Sequence, residues 1–480
     1  MPTYTTEINQ SLPFSTTPVG QELIVALSSD LCVANEQNVK FCFKIAIGTY
    51  TTSLPLIGIF KTTPNNFGAG ILNISNLLQN YVSPDNLATS SSTFKIDGAW
   101  NNRPVPIHLI DKFSRAKNSV KSLNIAGYTE YTDSTGTVIE TDLVFVAFAN
   151  TIINAYIKDS QLLSWVSSTN VGDAFGFGFN LEPYAIRSGK TNKFLSNSPS
   201  TQYARWEDYG TMSFLAIQRF AGTSEASDVK YCKISMFDSS DSSLGEIEIQ
   251  RNVSNGAFNG TTGMTNDSKN NILYIGAFPA NLRVNTTFNN QINSLAYYTV
   301  GLYGLTSNLI SEVKRVDILC PNLKGYTPVR LTWLNQWGTW DYFTFNQKSV
   351  KSISTKGTTY QQLGGTWNSQ YYEPYGYKGG KKTFRVNASE TIKMNTDYIT
   401  EEHSEWFEEL INSPEIYILK DWKLPRTING SDNIMELTTQ YLTPVTLKTK
   451  SLTKKTVAND RLIQYTFEVE KSRNLRTQAI

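Results

Sequence analysis

The sequence predicts a mainly β protein. Several β-sandwich-like domains are followed by a C-terminal α+β unit with strand–helix–strand order. Three observations carry this. Aromatic residues make up 12% of the 480 positions while charged residues reach only 18%, so Asn, Ser and Thr fill the surface, as in strand-rich chains. Short apolar runs alternate with polar residues and are punctuated by Ser/Asp/Asn/Gly clusters, the spacing of antiparallel sandwiches. The best 3.6-residue period in the chain lies at residues 400–412.

Taken in order, the chain divides into four segments. Residues 1–115 read as a β domain with strands at 23–27, 41–47, 56–60 and 93–96. A turn-rich loop at 64–70 leads to a short helix at 71–82, where Ile74, Leu77, Leu78 and Tyr81 fall at helical spacing before Pro84. Residues 116–200 form a β-rich connecting domain with strands at 122–131 and 143–148, a turn at 133–136 and a loop at 171–179. Residues 201–324 form a middle β-sandwich-like domain with strands at 211–217, 230–236, 244–249, 272–275 and 295–302. The Ser/Asp stretch 238–243 reads as a loop without fixed structure. Residues 325–480 form the C-terminal α+β domain.

The densest signal in that last segment is 331–345, where apolar and aromatic residues alternate on both sides of Gly338. Two strands joined by a turn at 336–338 are predicted, offering rigid buried area as in a domain core or a subunit contact. A Gly/Tyr-rich segment, 364–380, follows and reads as a loop ordered by neighbours, and strands are expected at 382–386 and 391–394. Thr400 is placed to cap the helix at 400–412, with Glu401 and Glu402 favouring its first turn. Trp406, Phe407, Leu410 and Ile411 share one face, His403 is expected to be exposed, and Pro414 ends the helix. Strands are expected at 415–419, 443–447 and 462–469.

Composition narrows the chemistry. Forty-three basic residues against 41 acidic ones give no global steering towards nucleic acid or anionic membrane. No apolar run approaches the ~20 residues that cross a bilayer, and the N-terminus has no signal-peptide pattern. Cys32, Cys42, Cys232 and Cys320 form no Cys-x-x-Cys pair. Cys42, between Phe41 and Phe43, reads as a buried free thiol, with a Cys32–Cys42 disulfide as the alternative. Of the two histidines, His108 lies between apolar neighbours and reads as structural. No Ser–His–Asp or Cys–His set, phosphate loop or calcium loop is present, so no enzymatic activity, metal or cofactor is expected. Among the carboxylates Glu130, Glu140, Asp142, Glu207, Asp208 and Glu373, only Glu207–Asp208 has a suggestive setting. Trp206 and Tyr209 flank that pair and would suit a glycan; a solvated turn is the plain alternative. Lysines gather at 348, 351 and 356, at 378, 381 and 382, and at 448, 450, 454 and 455. DNA phosphates, an acidic neighbouring subunit and a strand edge guarded against aggregation all fit them.

Several motifs carry a resemblance. Arg330-x-x-Trp-Leu-Asn-Gln-Trp-Gly-Thr-Trp-Asp-Tyr-Phe-Thr-Phe345 resembles virion structural proteins of tailed phages infecting Bacteroidetes, including crAss-like phages. So do Lys61-Thr-Thr-Pro-Asn-Asn-Phe-Gly-Ala-Gly70 with the Ile71–Leu78 stretch after it, Phe194-Leu-Ser-Asn-Ser-Pro199, Ser413-Pro-Glu-Ile-Tyr-Ile418 and Asn459-Asp-Arg-Leu-Ile-Gln-Tyr-Thr-Phe-Glu468. The ending is similar to tail-tube and distal-tail folds. The resemblance implies a non-enzymatic tail or neck protein of the virion, made in the host bacterial cytoplasm. It would form an oligomeric ring with copies of itself around the DNA channel and connect neighbouring tail proteins, with non-specific contact to genomic DNA as an option and no membrane partner. Trp333, Trp337, Trp340, Tyr342, Phe343, Trp406 and Tyr417 are the residues expected to serve assembly. A receptor- or glycan-binding tail appendage using Trp206 and Tyr209 is the alternative.

Overall fold

The computed structural model describes residues 4–12, 14, 16–32, 37–48, 56–88, 106–166, 176–179, 181–186, 190–217, 229–250, 270–304, 306–319, 325–367, 369–420, 427–428, 432–433, 441–453, 463–473 and 475. The fold is mainly β with several sheets. It divides into two compact units, one comprising Met1–Ile318 with Leu334–Asp341, the other Leu319–Trp333 with Tyr342–Ile480. The strand expected at 93–96, residues 171–175 and Lys454–Lys455 lie outside the described residues, as does the Cys32 side chain.

In the first unit, strands Thr16–Gly20, Val144–Tyr156, Val120–Thr132, Gln37–Ile47 and Leu56–Thr62 neighbour one another in that order, with Val138–Glu140 added to Val120–Thr132. A three-stranded sheet of Thr6–Gln10, Ile24–Ser29 and Ala69–Asn73 accompanies it. Alternation decides what goes inside. Phe41, Phe43 and Ile45 point one way along their strand and meet Val25 and Leu27 from the smaller sheet, with Leu123, Ile125 and Ile152 completing one core. The helix expected at 71–82 is shorter. Residues 71–73 belong to a strand paired with Ile24–Ser29, and only Ser75–Gln79 is helical. The apolar pair Ile71–Leu72 suits either element, and backbone pairing with the neighbouring strand decides it.

A second pair of sheets follows. One orders Ala185–Ile186, Thr211–Ile217, Asn270–Gly276 and Phe113–Arg115; the other orders Thr201–Ala204, Lys314–Ile318, Tyr297–Gly304, Val229–Phe237 and Ser243–Gln250. Sheets of this unit therefore join strands from either side of residues 115 and 200. The stretch 238–243, expected to lack fixed structure, is a tight turn. Asp238 Oδ1 accepts from Ser240 N (2.8 Å) and Ser242 N (2.9 Å), and Tyr297 donates to Asp241 Oδ1 (2.8 Å).

The second unit is built on one seven-stranded sheet, ordered Trp340–Phe345, Val329–Leu334, Ile416–Leu419, Leu442–Leu447, Thr466–Lys471, Gly380–Asn395, Val350–Gln362. Its one long helix among the described residues, Glu401–Asn412, buries Trp406, Phe407 and Leu410 against Leu331, Trp333, Phe343, Phe345, Phe467 and Val469 of the sheet. The capping differs from expectation. The Thr400 hydroxyl lies 2.9 Å from His403 Nδ1 and makes no bond to the helix backbone. His403 is buried, not exposed, because it stands three and four residues before Trp406 and Phe407 on the same face.

Candidate functional site

Six of the seven residues expected to seal contacts between copies occupy the interior, and Tyr417 is half-buried. In the hairpin Val329–Phe345 every strand residue is buried, on both faces. Its turn is the one expected: Gly338 N donates to Asn335 O (3.0 Å), and Asn335 Oδ1 accepts from Trp337 N and Thr339 N. Gly338 has φ +71°, and a Cβ there would fall 1.7 Å from Asn154 O, so only glycine fits. Within the first unit, Trp337 packs against Tyr184 at 4.2 Å between ring centroids, and Trp340 donates its indole N–H to Asp85 O at 2.8 Å with His108 edge-on to its ring. Asp85 is itself buried and accepts from Lys117 N and Asn118 N; nothing in its local sequence signals this hub.

Within the second unit, Trp333 lies 4.9 Å from Trp406 and Phe343 4.9 Å from Phe407, while the Arg330 guanidinium sits 5.3 Å over Tyr342. Tyr417 is half-buried, donates to Glu415 Oε2 and has its phenol pushed up to about 12, chiefly by burial. Trp333, Trp337, Trp340, Tyr342, Phe343 and Trp406 are thus already covered by their own chain. A ring without free surface has no area to give to a neighbour, so of the two settings expected for such buried area, a domain core and a subunit contact, burial fits the core for these six.

The glycan alternative meets the same obstacle. Trp206 is buried and stacked on Phe288 at 5.3 Å with 9° between planes, so the face a sugar ring would take is occupied. Asp208 is buried in an ion pair with Arg205 (2.7 Å), and burial pushes the Tyr209 phenol up to about 12. Around Glu130 and Glu140, which oppose each other across two strands, Lys61 pairs with Glu130. Burial raises both the neighbouring Cys42 thiol and the Tyr128 phenol, so both are neutral near pH 7. Cys42 is a buried free thiol, as expected for its apolar run.

The exposed feature is an arm. Val350–Gln362 and Gly380–Asn395 pair over 13 positions, from Val350 with Lys393 to Gln362 with Gly380, with one bulge that leaves Phe384 extra. The base of Gly380–Asn395 pairs onward, through Thr391–Asn395 with the strand Thr466–Lys471, and Ala388 exchanges backbone hydrogen bonds with Leu475 (3.0 and 2.8 Å). Beyond it both faces of the ribbon are largely open. The Gly/Tyr segment, expected as a loop, is the tip of this ribbon. It is held by local bonds: the Thr366 hydroxyl donates to Tyr371 O and accepts from Glu373 N, and Tyr375 donates to Glu373 Oε2. Tyr375 and Tyr377 stack at 5.8 Å with the Lys378 ammonium over both rings, and Trp367 meets Tyr372 edge-on. These rings remain open: Tyr371 is 72% exposed, Tyr377 70% and Trp367 66%.

One ribbon face is also basic. Cross-strand partners share a face, so Lys356 with Asn387, Thr358 with Arg385, and Tyr360 with Lys382 line up on one side. Phe384 joins that side through its contact with Tyr360. Between residues 354 and 388 the sequence holds five cations against Glu373 alone. The lysines at 356 and at 378–382, separate in sequence, therefore lie on one projecting element.

No family model and no curated protein matches this chain. Among solved structures it is similar to dimeric latent PorU from Porphyromonas gingivalis, at 9% identity over 82% of this chain and 32% of that one, with a TM-score of 0.15. The chain spans about a third of that structure's length, and a likeness at this level carries no argument. No helix among the described residues is long and apolar enough to cross a membrane.

Proposed function

We propose that this chain is a non-enzymatic structural component of a tailed-phage virion, a tail or neck protein whose copies close into a ring and connect neighbouring tail proteins. The observation that carries this reading is the arm. A ribbon open on both faces, tipped with Trp367, Tyr371, Tyr372 and Tyr377, is costly for a protein that works alone and ordinary for one whose partner covers it. Tyr- and Trp-rich tips on a rigid frame match the composition of protein-binding surfaces. The motif resemblance in the hairpin Val329–Phe345 supports the virion setting, and the long, unpaired outer edge of Val350–Gln362 supports association.

The test is assembly. Purified chain examined by light scattering and negative-stain imaging is expected to give closed rings of uniform size, and mass spectrometry of purified particles is expected to find the chain in multiple copies. A monomer at every concentration, together with absence from particles, removes the reading.

A further inference from the structure

We propose that the basic face of the arm docks on the acidic face of the helix Glu401–Asn412 of the next copy, so that each subunit gives an arm and receives one. The inference rests on the ring reading above and names its contact.

Charge complementarity carries the choice of occupant. The arm presents Lys356, Lys382 and Arg385 on one face beside Tyr360 and Phe384. The helix Glu401–Asn412 holds no lysine or arginine, and its outward positions Glu401, Glu402 and Glu405 are exposed, with Asp397 and Tyr398 exposed just before it. Like charges at this spacing repel: Glu401 and Glu405 stand four residues apart. The helix dipole accounts for the two glutamates of the first turn but not for Glu405, one turn further on. Both surfaces belong to one chain and have opposite sign. Neither consists of the same patch meeting itself, so the contact is head-to-tail, the kind that closes into a ring when the rotation between neighbours divides a full turn. Aromatic rings among the cations supply area that opposite charge alone does not. A polyanion such as DNA also suits a basic face, but it leaves the acidic helix without a role; a second copy uses both.

The experiment uses the full chain and two charge-reversed forms. One carries K356E, K382E and R385E on the arm, the other E401K, E402K and E405K on the helix. Sedimentation velocity at low and moderate salt is expected to show the parent associating, with association weakening as salt rises. Each reversed form alone should associate at least about tenfold more weakly. Mixing the two should restore association, because the reversed arm of one then meets the reversed helix of the other. Should the helix form fail to fold by thermal melting, E401Q, E402Q and E405Q replace it, with weakening as the expected result. Association of the parent that is indifferent to arm reversal overturns the docking and leaves the ring reading standing. Loss of association on reversal without recovery on mixing also overturns it, and retention of the parent but not the arm-reversed form on immobilised duplex DNA would then assign the arm to nucleic acid. A parent that never associates counts against the ring itself.

Discussion

Two aromatic hairpins broken by glycine stand at opposite ends of one seven-stranded sheet, and they have opposite fates. Val329–Phe345 is buried on both faces, down to its arginine; Val350–Asn395 is open on both faces over most of its length. Both carry aromatic rings, six in 17 residues and seven in 46, so rings alone do not bury a hairpin. Charge divides them as well: the first holds only Arg330 and Asp341, whereas the second carries seven cations against Glu373 and Glu390. A buried charge needs a partner, and Arg330 has Thr344 Oγ1 at 2.8 Å and the Tyr342 ring. Seven cations, Lys378 over two tyrosine rings and Lys382 donating to Tyr377 O among them, could not be buried at any comparable cost, so the arm stays outside and its aromatics stay with it.

The sharpest way to break this comparison is to delete a ring from each hairpin. Trp333→Ala removes a fully buried indole packed on Trp406 and Phe407 and is expected to cost about 3–5 kcal/mol in chemical denaturation. A loss below 1 kcal/mol would mean that the hairpin is not the core element its burial describes.

Glycines give the second contrast. Gly338→Ala forces a side chain into left-handed backbone and against the Asn154 carbonyl, and about 2–4 kcal/mol is expected. Gly376→Ala at the arm tip meets nothing within 4 Å and should lie within about 0.5 kcal/mol of the parent. Thermal melting of the two variants side by side checks the pair, and equal shifts would erase the distinction.

How much of this was legible follows from the same physics. The helix Glu401–Asn412 stood out because it buries a periodic face, and the turn at Gly338 because a glycine interrupts a dense apolar and aromatic run. Of the arm, 382–386 and 391–394 were legible as strands, within Gly380–Asn395. Val350–Gln362 was not, because alternation marks a strand only when one face is buried and it buries neither. The arm's Tyr-rich tip reads as a loop, and no strand is described between Gln362 and Gly380. The burial of His403 was readable in its spacing to Trp406 and Phe407, although its place on the first turn suggested exposure. Trp206 was not readable: Phe288, which covers it, lies 82 residues away. The same distance effect hid Asp85, whose partners are Lys117, Asn118 and Trp340.

His403 adds a pH signature to the buried side of the comparison. Burial lowers its imidazole from 6.5 to about 4. As pH falls, the unfolded chain takes up the proton first, so the stability this neutral ring contributes is full above about pH 6.5 and is lost between about 6.5 and 4. The ceiling on that loss is roughly 3 kcal/mol. Denaturation midpoints of the parent and His403→Gln across this window should converge towards pH 4, and parallel curves would show that the ring is not the group responsible.

The smallest expected effect is the one that separates covering from folding. Trp367→Ala and Tyr377→Ala remove rings that are two-thirds exposed and touch chiefly Tyr372, Tyr375 and Lys378 at the tip. Stability should move by no more than about 0.5 kcal/mol, since little area returns to water when these rings go. Association of the chain should weaken all the same, because rings that contribute little to their own fold are free to contribute to a neighbour's. A stability loss near that of Trp333→Ala would place the tip inside the fold, and the division between a buried hairpin and a presented one would fail.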